Sequence, residues 1–229
     1  MEEARLGRER IVRDAKLSLI LDAARDVFAL KGFHESRLED IAVKAGFSKA
    51  SLYNYFADKE TIFLSLAIRE FDQLLEALQK EFNPDRHVLE NLRAFMQALF
   101  TFLGRHFNFF HSVMNLRTFS DEHLPGNFIN HQNMCQTFKL KFAAIFNLCE
   151  SIMRNGNDRK EFISSFGTSA LTMYVMSLMR GMMFHWATTG SMGDVEHETD
   201  NLIGFLTFGL NISGYGWQPA MSGSDEARQ

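Results

Sequence analysis

At 229 residues the chain is long enough for a small head and a larger second domain with a sizeable core, and 46% of its residues are hydrophobic. Its formal net charge is −4, and residues 1–60 carry 11 basic and 11 acidic side chains, a weaker basic balance than a nucleic-acid binder usually has. Any contact with nucleic acid must therefore rest on where charges sit rather than on their total.

Residues 1–16 hold Arg5, Arg8, Arg10, Arg13 and Lys16 among four acids, and little apolar content precedes Ile11. They are expected to form a flexible basic arm, either solvated or reaching into a minor groove. From Leu17 the spacing Leu17, Ile20, Leu21, Ala24, Val27, Phe28 is helical, and Gly32 ends the run as a C-cap.

Ser36 with Glu39 fits a capping box, so a helix is expected to open there, with Leu38, Ile41, Ala42 and Ala45 on one face. Gly46 gives the backbone freedom for a sharp turn, Phe47 plugs the corner, and Ser48 caps a second helix through Phe56. On that second helix Leu52 and Phe56 share one face, while Ala50, Ser51 and Asn54 share the other. Lys49, Tyr53 and Tyr55 flank the outward strip, and Lys59 follows. Such a narrow ridge with donors at its edges suits a major groove, although any small helical hairpin with a glycine turn has the same spacing.

Four stretches together resemble the N-terminal domain of the TetR (tetracycline-repressor-like) family of bacterial regulators. These are LILDAARDVFALKGF (Leu19 to Phe33), the DIA of Asp40 to Ala42, AGFSKASLYNYF (Ala45 to Phe56), and Lys59-Glu60 followed by Ile62 and Phe63. The resemblance covers about the first quarter of the chain closely. It implies an all-α protein, with a three-helix helix-turn-helix DNA-binding domain at 17–60 and a larger helical effector-binding and dimerisation domain at 61–214. A flexible tail would follow at 215–229. The DNA-binding set it implies is Ser36, Arg37, Lys49, Ala50, Ser51, Tyr53, Asn54, Tyr55 and Lys59. Two positions depart from the family pattern. Arg37 stands where a small hydroxyl is usual and adds a phosphate contact, and Ala50 stands where glycine is usual and puts a methyl on the groove side.

Asp58 to Phe82 is expected to form a helix of about 25 residues, roughly 37 Å long. Its first turn belongs to the head and its last to the body, which makes it the candidate lever. Beyond it the chain reads as helical over Asp85 to about Arg105, His111 to Phe119, Asn127 to Asn155, Asp158 to Thr189 and Val195 to Gly214, with Pro84, Pro125 and Pro219 at boundaries. Cys135 and Cys149 lie about 21 Å apart along one helix, too far to bond, so reduced thiols are expected.

Beyond residue 60 lie 19 of the 23 Phe and 11 of the 12 Met, five of the latter between Met173 and Met183. Unbranched, polarizable methionine fills irregular space and adapts to varied apolar ligands, and it equally fills ordinary cores. The proposed effector site comprises Phe102, Phe110, Met114, Arg117, Phe138, Phe142, Met173, Met176, Met179 and Arg180. The two arginines need a partner, either an internal carboxylate or the carboxylate or phosphate of a ligand. Leu171 to Trp186 is apolar nearly all round, so one side is expected to face the pocket and the other a partner subunit. In relatives of the resembled family the last two helices form a four-helix dimer interface, and Leu202, Ile203, Leu206 and Leu210 supply an apolar face for it here.

The chain carries no Glu-x-x-His pair, phosphate loop, G-x-S-x-G or zinc-spaced Cys/His set, so neither an enzyme, a cofactor nor a metal site is expected. A charged N-terminus without an apolar core, and uncharged stretches broken by polar residues, predict a cytoplasmic protein without a membrane span. The expected function is a ligand-responsive repressor that binds a palindromic double-stranded DNA operator as a homodimer and is released by a small apolar or aromatic effector. The rival is an apolar-ligand carrier with no DNA role, which has no need of the Lys49 to Lys59 ridge.

Overall fold

The computed structural model describes residues 2–107, 109–110, 128–162 and 166–208, and among them every regular element is a helix. In chain order these are α1 (Glu2–Glu35), α2 (Leu38–Ala45), α3 (Lys49–Tyr53), α4 (Lys59–Glu81), α5 (Val88–Arg105), α6 (Phe128–Asp158), α7 (Thr168–Thr189) and α8 (Val195–Phe208). None is long and apolar enough to cross a membrane.

Residues 1–16 were expected to be a mobile arm, but from Glu2 they continue α1 as helix. Alternating charge explains this: Arg5 faces Glu9 and Arg10 faces Asp14 one turn apart, which supports an exposed helix without a buried face. The regular helix breaks at Gly32, whose φ of 75° and ψ of 170° turn the chain toward α2.

Capping decides where α2 begins. The proposed Ser36–Glu39 box is displaced by one residue, because Arg37 is the N-cap and its backbone N–H donates to Asp40 Oδ2 at 3.0 Å. The Ser36 hydroxyl instead donates back to the Gly32 carbonyl, closing the kink. Gly46, in the left-handed region at φ 74°, ends α2 and sends its N–H back to the Val43 carbonyl. Ser48 then accepts from the Ser51 N–H at 3.1 Å and opens α3, which stops at Tyr53, short of Phe56.

The head core gathers Ile20, Ala24 and Phe28 of α1, Ile41 and Ala42 of α2, Leu52 of α3, and Ile62, Phe63 and Leu66 of α4. The same apolar cluster runs on without a break into the body, where α4 packs against α5 and α6, α6 against α7, and α5 against α8. Asp58 caps α4 by accepting from the Thr61 N–H at 2.7 Å, so the expected 58–82 helix is found as Lys59–Glu81. The helix expected from Asp85 starts at Val88, capped by His87, that expected over Val195 to Gly214 is described as far as Phe208, and α7 starts at Thr168 rather than Asp158 because α6 extends to Asp158 and Gly167 caps the next helix. The short helix expected at His111 to Phe119, Leu210 and the tail lie outside the described residues. Cys135 and Cys149 do share α6, and burial pushes the Cys149 thiol up to about 12.

A candidate DNA interface and an apolar cavity on one lever

α3 is five residues long, and its inward anchor, Leu52, is 0% exposed. With that anchor fixed, Lys49, Ala50, Tyr53 and Asn54 face solvent, and Ser51 and Tyr55 are half-buried. The Ser51 hydroxyl sits 2.8 Å from that of Ser48, and Tyr55 packs edge-on to Phe47 at 6.1 Å. Lys49 is ion-paired with exposed Glu39 of α2, which lowers the Glu39 pKa and raises that of Lys49. A phosphate can compete for this pair because both groups remain in water. Arg37 is exposed at the mouth of α2.

Two members of the expected DNA set do not fit. Ser36 is only 2% exposed and its hydroxyl is already committed to Gly32, so its side chain faces the head rather than a groove. Lys59 likewise turns inward. Its Nζ donates to the carbonyls of Phe33 at 2.7 Å and Ser36 at 2.8 Å and lies 4.4 Å from the Phe33 ring centre. It ties the end of α1 to the start of α4, and partial burial lowers its pKa. Spacing put Lys59 beside the reader, whereas the direction of its side chain follows from unsatisfied carbonyls at the kink. In contrast, Arg8, Arg13 and Lys16 of the α1 extension line an open groove with Asn54 and Tyr55, adding cations beside the reader.

The body holds a partly enclosed, mainly apolar cavity of about 470 Å³, within the range usual for small-molecule sites, roughly 300–1,000 Å³. α4 contributes Phe71 and Leu74, and α5 contributes Leu99 and Leu103. Phe142, Ile145 and Phe146 come from α6, while α7 supplies Met173, Met176, Ser177, Met179, Arg180 and Met183. Phe110 completes the wall. Of the expected effector residues, Phe110, Phe142, Met173, Met176, Met179 and Arg180 therefore meet around one space. Phe102 stands behind it, with ring contacts to Phe110 at 6.1 Å and His106 at 5.3 Å. Met114, Arg117 and the Phe138 side chain lie outside the described residues. Arg180 is exposed at the cavity rim and has no acidic partner among the described residues.

Sequence reading missed the seam between these two sites. Aromatic rings in contact lead from the head to the cavity wall: Phe28 to Phe63 at 5.2 Å, Phe63 to Phe109 at 5.4 Å, and Phe109 to Phe110 at 5.5 Å. Beside them Glu70 is buried, facing Arg25 at 3.4 Å, Arg69 at 3.3 Å and His106 at 3.7 Å. A glutamate at an inward position of the α4 stripe was the available signal.

The dimer face also needs correction. Leu202 is buried inside the chain, and half-buried Ile203 and Leu206 pack against the same core, so this side of α8 lies against α5. Left bare on α7 and α8 are Tyr174, Phe184 and Phe205, with Phe184 63% exposed. A stripe read from sequence identifies an inward face but not the neighbour that covers it.

A three-helix head with a solvent-facing α3, joined through one long helix to a cavity-bearing helical body, defines a two-domain helix-turn-helix architecture. Residues 20–66 match the family described as bacterial regulatory proteins, tetR family. It is similar to an HTH-type transcriptional activator, FasR, of Mycolicibacterium smegmatis, with 32% identity over 94 residues that make up 41% of this chain and 43% of that protein. The chain thus spans less than half the length of this curated relative. The whole fold is similar to that of the fatty acid degradation regulator FadR from Bacillus halodurans, with a TM-score of 0.70 and 19% identity over 86% of this chain and 96% of the other. It is also similar to that of FadR from Bacillus subtilis in complex with stearoyl-CoA, with a TM-score of 0.69 and 21% identity over 84% and 98% of the two chains.

Proposed function

We propose that the chain is a ligand-responsive repressor that acts in the cytoplasm, binds a two-fold DNA operator as a homodimer, and leaves it when a small apolar molecule enters the cavity. The observation that carries this reading is α4, which places Ile62, Phe63 and Leu66 in the head core and Phe71 and Leu74 in the cavity wall. A rigid helix shared by two sites converts a shift at one into a tilt at the other.

The effector class follows from the walls. Aromatic and methionine side chains accept an extended hydrocarbon, and Arg180 at the rim, without an acidic partner among the described residues, suits a carboxylate or phosphate. A long acyl chain with an acidic head meets both demands, and the stearoyl-CoA complex of the similar Bacillus subtilis fold supports that class. Phe184 and Phe205 mark the face for the second copy, and neither Gly181 on α7 nor Gly204 on α8 has any atom near its missing side chain, which leaves room for helices to approach closely.

The test measures affinity for an operator selected from random duplexes, with and without stearoyl-CoA, alongside thermal stability. The expected result is a raised melting temperature and weakened operator binding together, since release demands tighter binding to the non-DNA-binding arrangement, about 2.7 kcal/mol for a hundredfold preference. Stabilisation without any change in operator affinity would leave the body a dimerisation core and sink the switch. In sedimentation, the Phe184→Asp, Phe205→Asp double variant should be a folded monomer with poor operator affinity.

A further inference from the structure

Glu70 is 0% exposed, and a carboxylate is not buried in a seam without partners unless the surrounding structure holds it there. Its Oε1 lies 3.4 Å from Arg25 Nη1 on α1 and 3.3 Å from Arg69 Nη2 on α4, and Asp22 of α1 accepts from the same Arg69 nitrogen at 2.9 Å. Among the described residues its Oε2 has no hydrogen-bond partner, nor does the buried Nε of Arg69. His106 Nε2 lies 3.7 Å from Oε2, just beyond hydrogen-bond reach. His106 caps the end of α5, where Leu103 and Phe110 on either side of it line the cavity. One buried carboxylate therefore touches the head, the lever and the cavity rim, with one of its bonds left open.

We propose that Glu70 is the positioning residue that couples cavity to head: a shift of the α5 end as the cavity fills changes the His106–Glu70 separation, and Glu70 passes the change to Arg25 of α1. This rests on the cavity being the effector site and the head the DNA reader. The half-made state of the hub is what makes it responsive, because a displacement of under about 1 Å converts an open contact into a charge-assisted hydrogen bond. Among the described residues the charged groups facing the hub are Asp22 and Arg25 from α1, Arg69 from α4 and Arg105 from α5. Desolvation lowers the His106 pKa below 6.5, with Arg25, Arg105 and Arg69 adding to that effect and Glu70 opposing it. Protonation of His106 on acidification adds charge to this contact and favours its closure onto Glu70.

Three proteins decide the matter: wild type, Glu70→Gln and His106→Gln. Operator affinity is measured with and without stearoyl-CoA, the affinity for stearoyl-CoA is measured separately, and the set is repeated at pH 5.5 and 7.5. Each variant should bind operator and stearoyl-CoA singly within about threefold of wild type, while the ratio of operator affinities without and with the probe falls by about fivefold or more, a large part of a typical coupling of roughly 5- to 150-fold. The ratio should depend on pH in wild type and not in His106→Gln. If both variants keep the wild-type ratio, or lose single-ligand affinities while keeping it, Glu70 is merely structural and the proposal is overturned. If wild type itself shows no change of operator affinity on binding stearoyl-CoA, the coupling role and the effector reading fall together. Should Glu70→Gln not fold, His106→Gln, at the half-exposed rim of the hub, decides alone.

Discussion

The head and the body are both built from apolar helical faces, yet they use them in opposite ways. In the head, Phe28, Ile41, Leu52 and Ile62 are each fully enclosed, and rigid aromatic and branched side chains fill the space between four short helical surfaces. In the body, Met173, Met176, Met179 and Met183 stand along one side of α7 and leave about 470 Å³ between them and α4, α5 and α6. A reader must hold its donors in fixed register against a groove, whereas a receptor for a flexible apolar molecule must repack. Residue type differs accordingly: branched and aromatic side chains close the head core, while the cavity adds unbranched methionines to an aromatic and branched wall.

The strongest way to break that comparison is to empty the head core. Leu52→Ala should cost about 2–5 kcal/mol, read from the urea midpoint, and abolish operator binding. A loss below about 1 kcal/mol would mean that the head tolerates voids as the body does. Lys59→Met should cost about 1–3 kcal/mol through three orphaned carbonyls and weaken operator binding without altering its salt dependence. Lys49→Met should instead reduce the salt slope by about one, as loss of a phosphate contact does. Equally reduced slopes in the two variants would put both lysines on the DNA, and two unchanged slopes would put neither there.

In the body the effect should be on binding rather than stability. Met176→Trp, which fills the cavity from its wall, should weaken stearoyl-CoA binding about tenfold or more with a small change in melting temperature. Tight binding by this variant would place the ligand elsewhere. The smallest effect concerns Asp40, whose pKa is lowered from 3.8 by the hydrogen bond from Lys31 and by the Arg37 N–H. A depressed carboxylate stabilises the fold above the unfolded pKa, and that contribution is lost as pH falls through the lower folded value. Asp40→Asn should therefore lower stability slightly at pH 7 and flatten the acid end of the profile, with wild type and variant converging below about pH 4.

The head was legible in the sequence because its signals are local. Gly46, Ser48 and the Leu52–Phe56 spacing each act within a few residues, and backbone geometry allows them few meanings. The body was legible as composition: a Met-rich α7, apolar nearly all round, had to be covered on more than one side, and the residues that meet at the cavity include five singled out from the Met and Phe bias, together with Arg180. What failed were side chains whose direction depends on distant groups. Lys59 reads as a DNA-facing cation until the open carbonyls of Phe33 and Ser36 are placed beside it. Leu202 reads as a partner-facing leucine until α5 is laid against it.

The sequence by itself determined the all-helical class, the turn at Gly46, the inward anchor of α3 and the apolar bias of α7, since periodicity and capping act over one or two turns of helix. Only the tertiary structure decided which cations remain free for DNA, which face of α8 stays bare, and that Arg25, Glu70 and His106 meet. Those three residues come from three helices, and their interaction depends on separations of 3–4 Å fixed by the packing of α1, α4 and α5, which no pattern along one chain encodes.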